Sequence, residues 1–328
     1  MDKYENTFVH KVRLVMFYSN IIAEISGIFL NSLLIGIILT ISNKEFKNYR
    51  RILLTTAIFD ITFSLFTAFT CLSMEPANKY FVTWAHGIVR SFPTSIRLII
   101  VITIIGSFYI TVSNTAIVFY YRYLIIVKEK IMSNWHYFIL MVINILWNIL
   151  GAGIWAWAFL ISPEEAHKEV INTLGEEYFH NFDGTITDFF ILQPLSIAGM
   201  SGLGHNTITC TIVVLTVFKT YRDIQVSLKN KSTKMSNKSK NLQKQLNRTM
   251  MLQALTPLFL CVIPVLTMVM CCFLKILLYG FSSLFFITFM FVPAFNALIC
   301  LICVKVCRRK ITGFFFKENV VTSNSRIS

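Results

Sequence analysis

Seven apolar runs separated by shorter polar stretches organise the sequence, at about 17–41, 52–74, 94–120, 137–161, 191–218, 250–274 and 282–304. Each reaches the roughly 20 residues an α-helix needs to cross ~30 Å of hydrocarbon. Lipid offers the backbone no hydrogen-bonding partner, so each run must close its own ladder. The pattern predicts an all-α fold, a single integral membrane seven-helix bundle, with residues 1–16 as an extracellular N-terminus and 305–328 as a cytoplasmic tail.

Composition agrees. Hydrophobic residues make up 55% of the 328 positions and charged residues 14%, against about 25% charged in an ordinary soluble domain. The first 17 residues lack the basic, apolar and small-residue order of a cleavable signal. The first run is therefore expected to act as an uncleaved anchor.

Charge sets the expected orientation. Of the 30 Lys and Arg residues, 22 fall in 42–51, 122–136, 219–248 and 305–328, alternate connections that the positive-inside bias assigns to the cytoplasm. Between the fourth and fifth runs, Glu164, Glu165, Glu169, Glu176, Glu177, Asp183 and Asp188 face only Lys168. The N-terminus is expected outside and the C-terminus inside a plasma membrane crossed several times. The net +14 is then explained by topology and anionic lipid rather than by nucleic acid. The N-x-S/T matches at Asn230, Asn237 and Asn247 fall in the basic third inner connection and are expected to carry no glycan.

Chemistry-bearing residues are sparse. The eight cysteines lie almost wholly within the runs, and the six histidines are scattered without a metal-ligand spacing. The sequence contains no G-x-S-x-G, P-loop or G-x-G-x-x-G pattern, so neither an enzyme nor a cofactor or metal site is expected. Cys71, Cys271 and Cys272 lie near the outer edge, where pairing depends on geometry that sequence does not give. Cys307, preceding Arg308, Arg309 and Lys310, is a candidate for reversible palmitoylation.

Polar residues inside the runs carry more information, because ionisable groups in hydrocarbon are costly. Asp60 lies eight residues into the second run, ~12 Å deep at 1.5 Å per residue. Asn31, Asn114 and Asn296 lie at similar depths on the first, third and seventh runs. The four can form one intramembrane network or bond separately to backbone, and the cost of unpaired polar atoms favours the network. Pro257, Pro264 and Pro293 each remove a backbone donor and predict kinks in the last two helices. Glu24, Arg97 and Gln193 occupy the outer halves of their runs, with Trp155 and Trp157, and are candidates for ligand binding; an interfacial aromatic belt is the plainer reading of the tryptophans. The acidic outer loop would attract cationic or water-soluble molecules, or serve as a solvated lid.

The segments "FKNYRRILLTTAIFDITFSL", "FYYRYLIIVK", "KQLNRTMMLQALTPLF" and "VPAFNALIC" together resemble the nematode serpentine chemoreceptors, the delta class most closely. The resemblance implies a G-protein-coupled receptor of sensory neurons, in ciliary membrane, whose partners are a heterotrimeric G protein and a small-molecule chemical cue. It also implies roles. Tyr121, Arg122 and Tyr123 are similar to the motif ending the third span of rhodopsin-like receptors, where the arginine contacts neighbouring helices at rest and the G protein when active. Asn31 and Asp60 resemble those receptors' polar switch, and Pro293 with Asn296 their seventh-span motif. Tyr121 stands where those receptors carry an acid, and the acidic outer loop has no cysteine to pair with the third span. Three rival readings are a seven-span ligand-gated channel, whose inverted orientation the charges oppose, a transporter, for which no internal repeat is visible, and a non-signalling adaptor.

Overall fold

The computed structural model describes residues 7–41, 44–180, 188–230 and 237–315. Long helices dominate: α1 (Phe8–Thr40), α2 (Lys44–Ala68), α3 (Thr94–Ile126), α4 (Asn134–Leu160) and α6 (Ile197–Asn230). The sixth span is composite, running through α7 (Asn237–Pro257), a π-helical turn (Leu258–Val262) and α8 (Ile263–Phe273). The seventh comprises α9 (Phe281–Met290) and α10 (Val292–Cys303), bent by 41°. Among the described residues six helices are long and apolar enough to cross a membrane, seven with the bent pair counted as one. Side-chain caps start two of them: Thr7 accepts from the His10 N–H at 3.3 Å and Ser133 from the His136 N–H at 3.2 Å.

Packing places α1 against α2 and α10, α3 against α4, α6 and α2, and α7 against α10. One apolar cluster fills the end near Arg122, including Ile38, Phe46, Tyr49, Phe119 and Leu246. A second fills the other end, including Met16, Phe63, Val101, Trp155 and Phe286.

That other end carries what the apolar runs concealed. Span two was expected to reach Met74, but α2 stops at Ala68, and β1 (Leu72–Ala77) pairs antiparallel with β2 (Tyr80–Ala85). The physical cause is local: Asn78, in the left-handed region at φ 56°, closes a two-residue turn between Ala77 and Tyr80, and Phe81, Val82 and Thr83 suit a strand. Span five was likewise expected from Ile191, yet β3 (Phe190–Leu192) joins β2 with Phe81 opposite Leu192. The acidic connection contributes a further helix, α5 (Glu164–Leu174), which buries Ala166, Val170 and Leu174 beside Trp84 and Tyr178. The fold is thus mostly helical, with a three-stranded cap at one end.

Helix boundaries also move. α1 begins at Phe8 rather than residue 17, because Val9, Val12 and Met16 bury against the cap and Arg13 donates to the carbonyls of Tyr178 and His180. α3 continues past Tyr120 to Ile126, and a short amphipathic α11 (Lys305–Phe315) follows the seventh span. The expected termini at 1–6 and 316–328, and part of the third basic connection at 231–236, lie outside the described residues.

Candidate functional site

Because α3 runs on to Ile126, Arg122 does not emerge into solvent as the apolar pattern implied. It is fully buried. Nη1 donates to Asn247 Oδ1 at 3.0 Å and Nη2 to the Gln243 carbonyl at 3.4 Å, while the guanidinium sits 5.5 Å from the Tyr49 ring centroid. Tyr49 in turn donates to Gln243 Oε1 at 2.7 Å. Gln243 and Asn247, four residues apart on α7, share a helix face and meet the same arginine. Among the described residues no carboxylate pairs with Arg122.

Tyr121 points to a different cation. Its hydroxyl accepts from Arg51 at 3.1 Å, and Arg51 also donates to Asn134 Oδ1 at 2.8 Å and to the Met132 carbonyl at 3.1 Å. The Arg51 guanidinium lies 4.9 Å from the Tyr137 ring centroid, so it bridges α2 to the start of α4. Tyr123 stacks on Tyr120 with centroids 6.5 Å apart, and Lys128 lies over its ring. The triplet therefore divides its work, with Tyr121 facing α2 and α4 and Arg122 facing α7.

The four intramembrane polar residues do not form one network. Asn296 donates to both Asp60 carboxylate oxygens, at 3.3 and 3.2 Å, and its carbonyl accepts from Gln253 at 2.8 Å. Asn31 instead donates to the carbonyls of Gly27 (2.9 Å) and Pro293 (3.0 Å), and Asn114 to Thr56 Oγ1 at 3.3 Å. Asp60 and Asn296 meet; Asn31 ties α1 to the seventh span; Asn114 stays local to α2. A second polar cluster went unseen in the sequence, with Ser113 donating to Asn144 Oδ1 at 2.5 Å and Asn148 to Ser113 Oγ at 3.0 Å.

The prolines sit at the breaks. Pro257 ends α7, Pro264 is the second residue of α8, and the π turn lies between them. Pro264 has no N–H for the Leu260 carbonyl, and that carbonyl accepts from Thr288 Oγ1 of α9 at 2.5 Å. Pro293 starts α10, just past the 41° bend.

Beneath the strand cap lies a cavity of about 120 Å³. Phe81 and Leu192 of the sheet roof it, Phe108 and Tyr109 of α3 and Met268 of α8 form walls, and Trp155 and Asn206 supply its edge. Among the described residues no charged side chain lines it. Of the expected ligand contacts, Trp155 is present, but Glu24, Arg97 and Gln193 are not. Glu24 is buried in α1, with Thr67 and Ser64 of α2 as its polar neighbours. Arg97 is turned toward the loop before β3, where it pairs closely with Asp188 and donates to Thr94 Oγ1 at 2.9 Å. Gln193 is spent on the tight turn into α6: its carbonyl accepts from Ser196, and a Cβ on Gly199 would lie 2.2 Å from that oxygen. Trp157 is 46% exposed on the outer surface of the bundle.

The cysteine expectations change as well. All eight cysteines are free, Cys71, Cys271 and Cys272 included. Cys307 is fully buried against the cluster near Arg122, and Cys300 lies beside it. An acyl chain cannot reach a thiol buried in this way, so the palmitoylation reading of Cys307 does not fit this arrangement.

The molecule is thus a membrane-type helical bundle with a capped cavity at one end and a buried third-span arginine at the other. The crystal structure of squid rhodopsin superposes with a TM-score of 0.64 at 15% identity, covering 94% of this chain and 87% of that one, which places the fold. No curated protein sequence matches the chain. The family model for serpentine-type seven-transmembrane G-protein-coupled chemoreceptors of the Str class matches residues 17–312. The chain belongs to that family, and is a multi-pass plasma-membrane receptor rather than an enzyme. The matching class is Str, where the sequence motifs alone pointed toward delta.

Proposed function

We propose that this receptor binds a small neutral molecule, presented from outside the cell, in the cavity beneath the strand cap, and that binding releases Arg122 toward a cytoplasmic G protein. The observation that carries the reading is the pairing of the two sites: an uncharged cavity closed by Phe81 and Leu192, and an arginine held by α7 through neutral groups only. A cavity of about 120 Å³ is of the order of the ~150 Å³ apolar cavity that takes up benzene. The occupant is therefore a molecule of a few heavy atoms rather than a cation drawn by the acidic loop. Burying an unpaired charge among these walls would cost far more than the contacts return.

In this reading the cap and the N-terminus face outside, and α11 faces the cytoplasm, as the distribution of cations supports. Ligand need only bind one arrangement better to shift the population toward it. Walls from the eighth and ninth helices, Met268 and Phe286, connect the cavity to the spans whose other halves hold Gln243 and Asn296. Residence in sensory-neuron cilia follows from the family resemblance and belongs to the same proposal.

The deciding experiment measures ligand-dependent nucleotide exchange on a co-expressed G protein with a panel of small neutral and cationic molecules. Neutral ligands should activate the wild type, and Leu203→Trp, which fills the cavity, should lose the response with surface expression retained. Arg122→Ala should bind ligand without driving exchange. A response that survives Leu203→Trp, or that only cations elicit, would overturn the site. Tags on both termini of intact cells test the orientation: antibody should reach the N-terminal tag alone.

A further inference from the structure

A second cavity, of about 220 Å³, opens where α3, α6 and the sixth span meet, and it shares no lining residue with the first. Val112 and Thr115 form its α3 wall, Cys210 and Val214 its α6 wall, and Met251 and Ala254 its α7 wall. Val214 and its neighbour Phe218 are 47% and 67% exposed on helices that cross the membrane, which puts the mouth in hydrocarbon rather than water. Tyr109, a wall of the first cavity, stands near Cys261 and near Cys210, which lines the second.

One polar group faces this otherwise apolar volume without a partner. On α3 the hydroxyls of Thr103 and Thr111 return to carbonyls four residues back, at 2.7 and 3.1 Å. The Thr115 hydroxyl makes no hydrogen bond among the described residues. A hydroxyl left unpaired in hydrocarbon is unfavourable, and a ligand bearing one oxygen would satisfy it.

We propose that this cavity is a second, bilayer-accessible binding site for small lipophilic molecules carrying one hydroxyl or carbonyl group, and that its occupant holds the sixth span in the closed arrangement. The oxygen pairs with Thr115, and the hydrocarbon body fills the space toward Val214 and Met251. Its effect on signalling follows from which helix supplies the wall. Met251 and Ala254 belong to the same limb, α7, whose Gln243 and Asn247 hold Arg122, and the limb ends at the Pro257 break. Moving that limb away from α3 would part the α7 wall from Val112 and Thr115. A molecule that needs both walls binds the closed arrangement better and shifts the population toward it. The binding claim stands apart from the proposed signalling role; only the sign of the effect rests on it.

The test uses the full-length receptor in lipid nanodiscs with a photoreactive octanol, 3-azioctanol, and maps labelled residues by mass spectrometry. Saturable labelling at Cys210, Val214 or Met251, suppressed by excess 1-octanol, is expected. Thr115→Val keeps the shape, removes the hydroxyl, and should weaken octanol about five- to tenfold, the loss of one hydrogen bond. Leu203→Trp, in the first cavity, should leave labelling unchanged. Labelling that never saturates, or that spreads equally to lipid-facing Phe29 and Ile143, would mean ordinary partition into the bilayer and overturn the site, as would an unchanged affinity in Thr115→Val. Octanol should also lower basal nucleotide exchange in the wild type and leave Thr115→Val about as active as before. A rise in exchange on saturable binding would overturn the closing role while leaving the binding site in place.

Discussion

Arg122 donates to Asn247 Oδ1 at 3.0 Å across the boundary between the third and sixth spans, and among the described residues no carboxylate takes part. A hydrogen bond to a charged group is worth about 1.5–3 kcal/mol, so Asn247→Ala should shift the closed–open equilibrium by about tenfold or more and raise basal nucleotide exchange accordingly. Asn247→Asp should do the opposite, since it gives the buried guanidinium a counter-ion that it lacks. Nucleotide exchange measured without ligand, in membranes of matched receptor content, separates the three. Equal basal rates would mean that this contact does not govern the closed state.

Much of this was legible in the sequence, for a physical reason. Span length and the scarcity of charge follow from the solvent, and hydrocarbon imposes the same rule on every helix. Arg122 stood out as the first cation past the end of the third apolar run. Its partners did not, because Gln243 and Asn247 lie in "QKQLNRTM", where a polar stretch beside a basic loop reads as solvated. The strand cap was hidden for a related reason: "CLSM" is apolar enough to extend the second run to Met74, and only Pro76 and the Asn78 turn just beyond it distinguish a hairpin from a helix. Arg97 was misread because its partner Asp188 lies 91 residues away in sequence.

The Arg97–Asp188 pair joins the top of α3 to the segment entering β3, a connection made without any disulfide, since all the cysteines are free. Asp188 is 62% exposed and Arg97 only 7%. Solvent screening limits such a pair to about 1 kcal/mol or less, yet removal of the acid strands a buried cation. Asp188→Ala should therefore destabilise the cap, and the charge-swapped double variant Arg97→Asp/Asp188→Arg should recover part of the loss. Thermal midpoints in nanodiscs at low and high salt provide the readout, with the wild type losing more of its margin in high salt than Asp188→Ala.

Glu75 of β1 accepts hydrogen bonds from the Ser283 N–H at 3.0 Å, the Ser283 hydroxyl at 2.6 Å and the Ser282 hydroxyl, and so caps α9 from the sheet. Arg13, His86 and Tyr178 line the same small space. Burial raises the carboxyl above its ordinary range, against the opposing pull of the two serines. A group whose folded pKa is raised contributes stability that is fully present below its unfolded value, about 4.3 for Glu, and is lost as pH rises through the folded value. Glu75→Gln keeps the shape and removes the titration. The midpoint of the wild type should therefore fall relative to that of Glu75→Gln as pH rises from about 5 to about 8; parallel curves would show that Glu75 does not titrate there.

Gly27 marks the closest approach of the first, second and seventh spans. A Cβ at that position would lie 2.5 Å from Ser64 Oγ and 3.3 Å from Pro293 Cβ, so the Ser64 hydroxyl must turn away and the seventh span must give by a few tenths of an ångström. The same turn supplies the Gly27 carbonyl that Asn31 holds, with Asn31 also holding the Pro293 carbonyl. Parting the helices to admit a methyl group would therefore stretch the link to the seventh span as well as the α1–α2 contact. Overpacking of this kind costs about 1–3 kcal/mol. Gly27→Ala should lower the thermal midpoint and surface expression, and Ser64→Ala in the same chain should restore most of both, because removal of the Ser64 hydroxyl opens the space. Ser64→Ala alone should be close to neutral. If the double variant is no better than Gly27→Ala, Pro293 rather than Ser64 is the limiting neighbour, and the close approach is set by the seventh span.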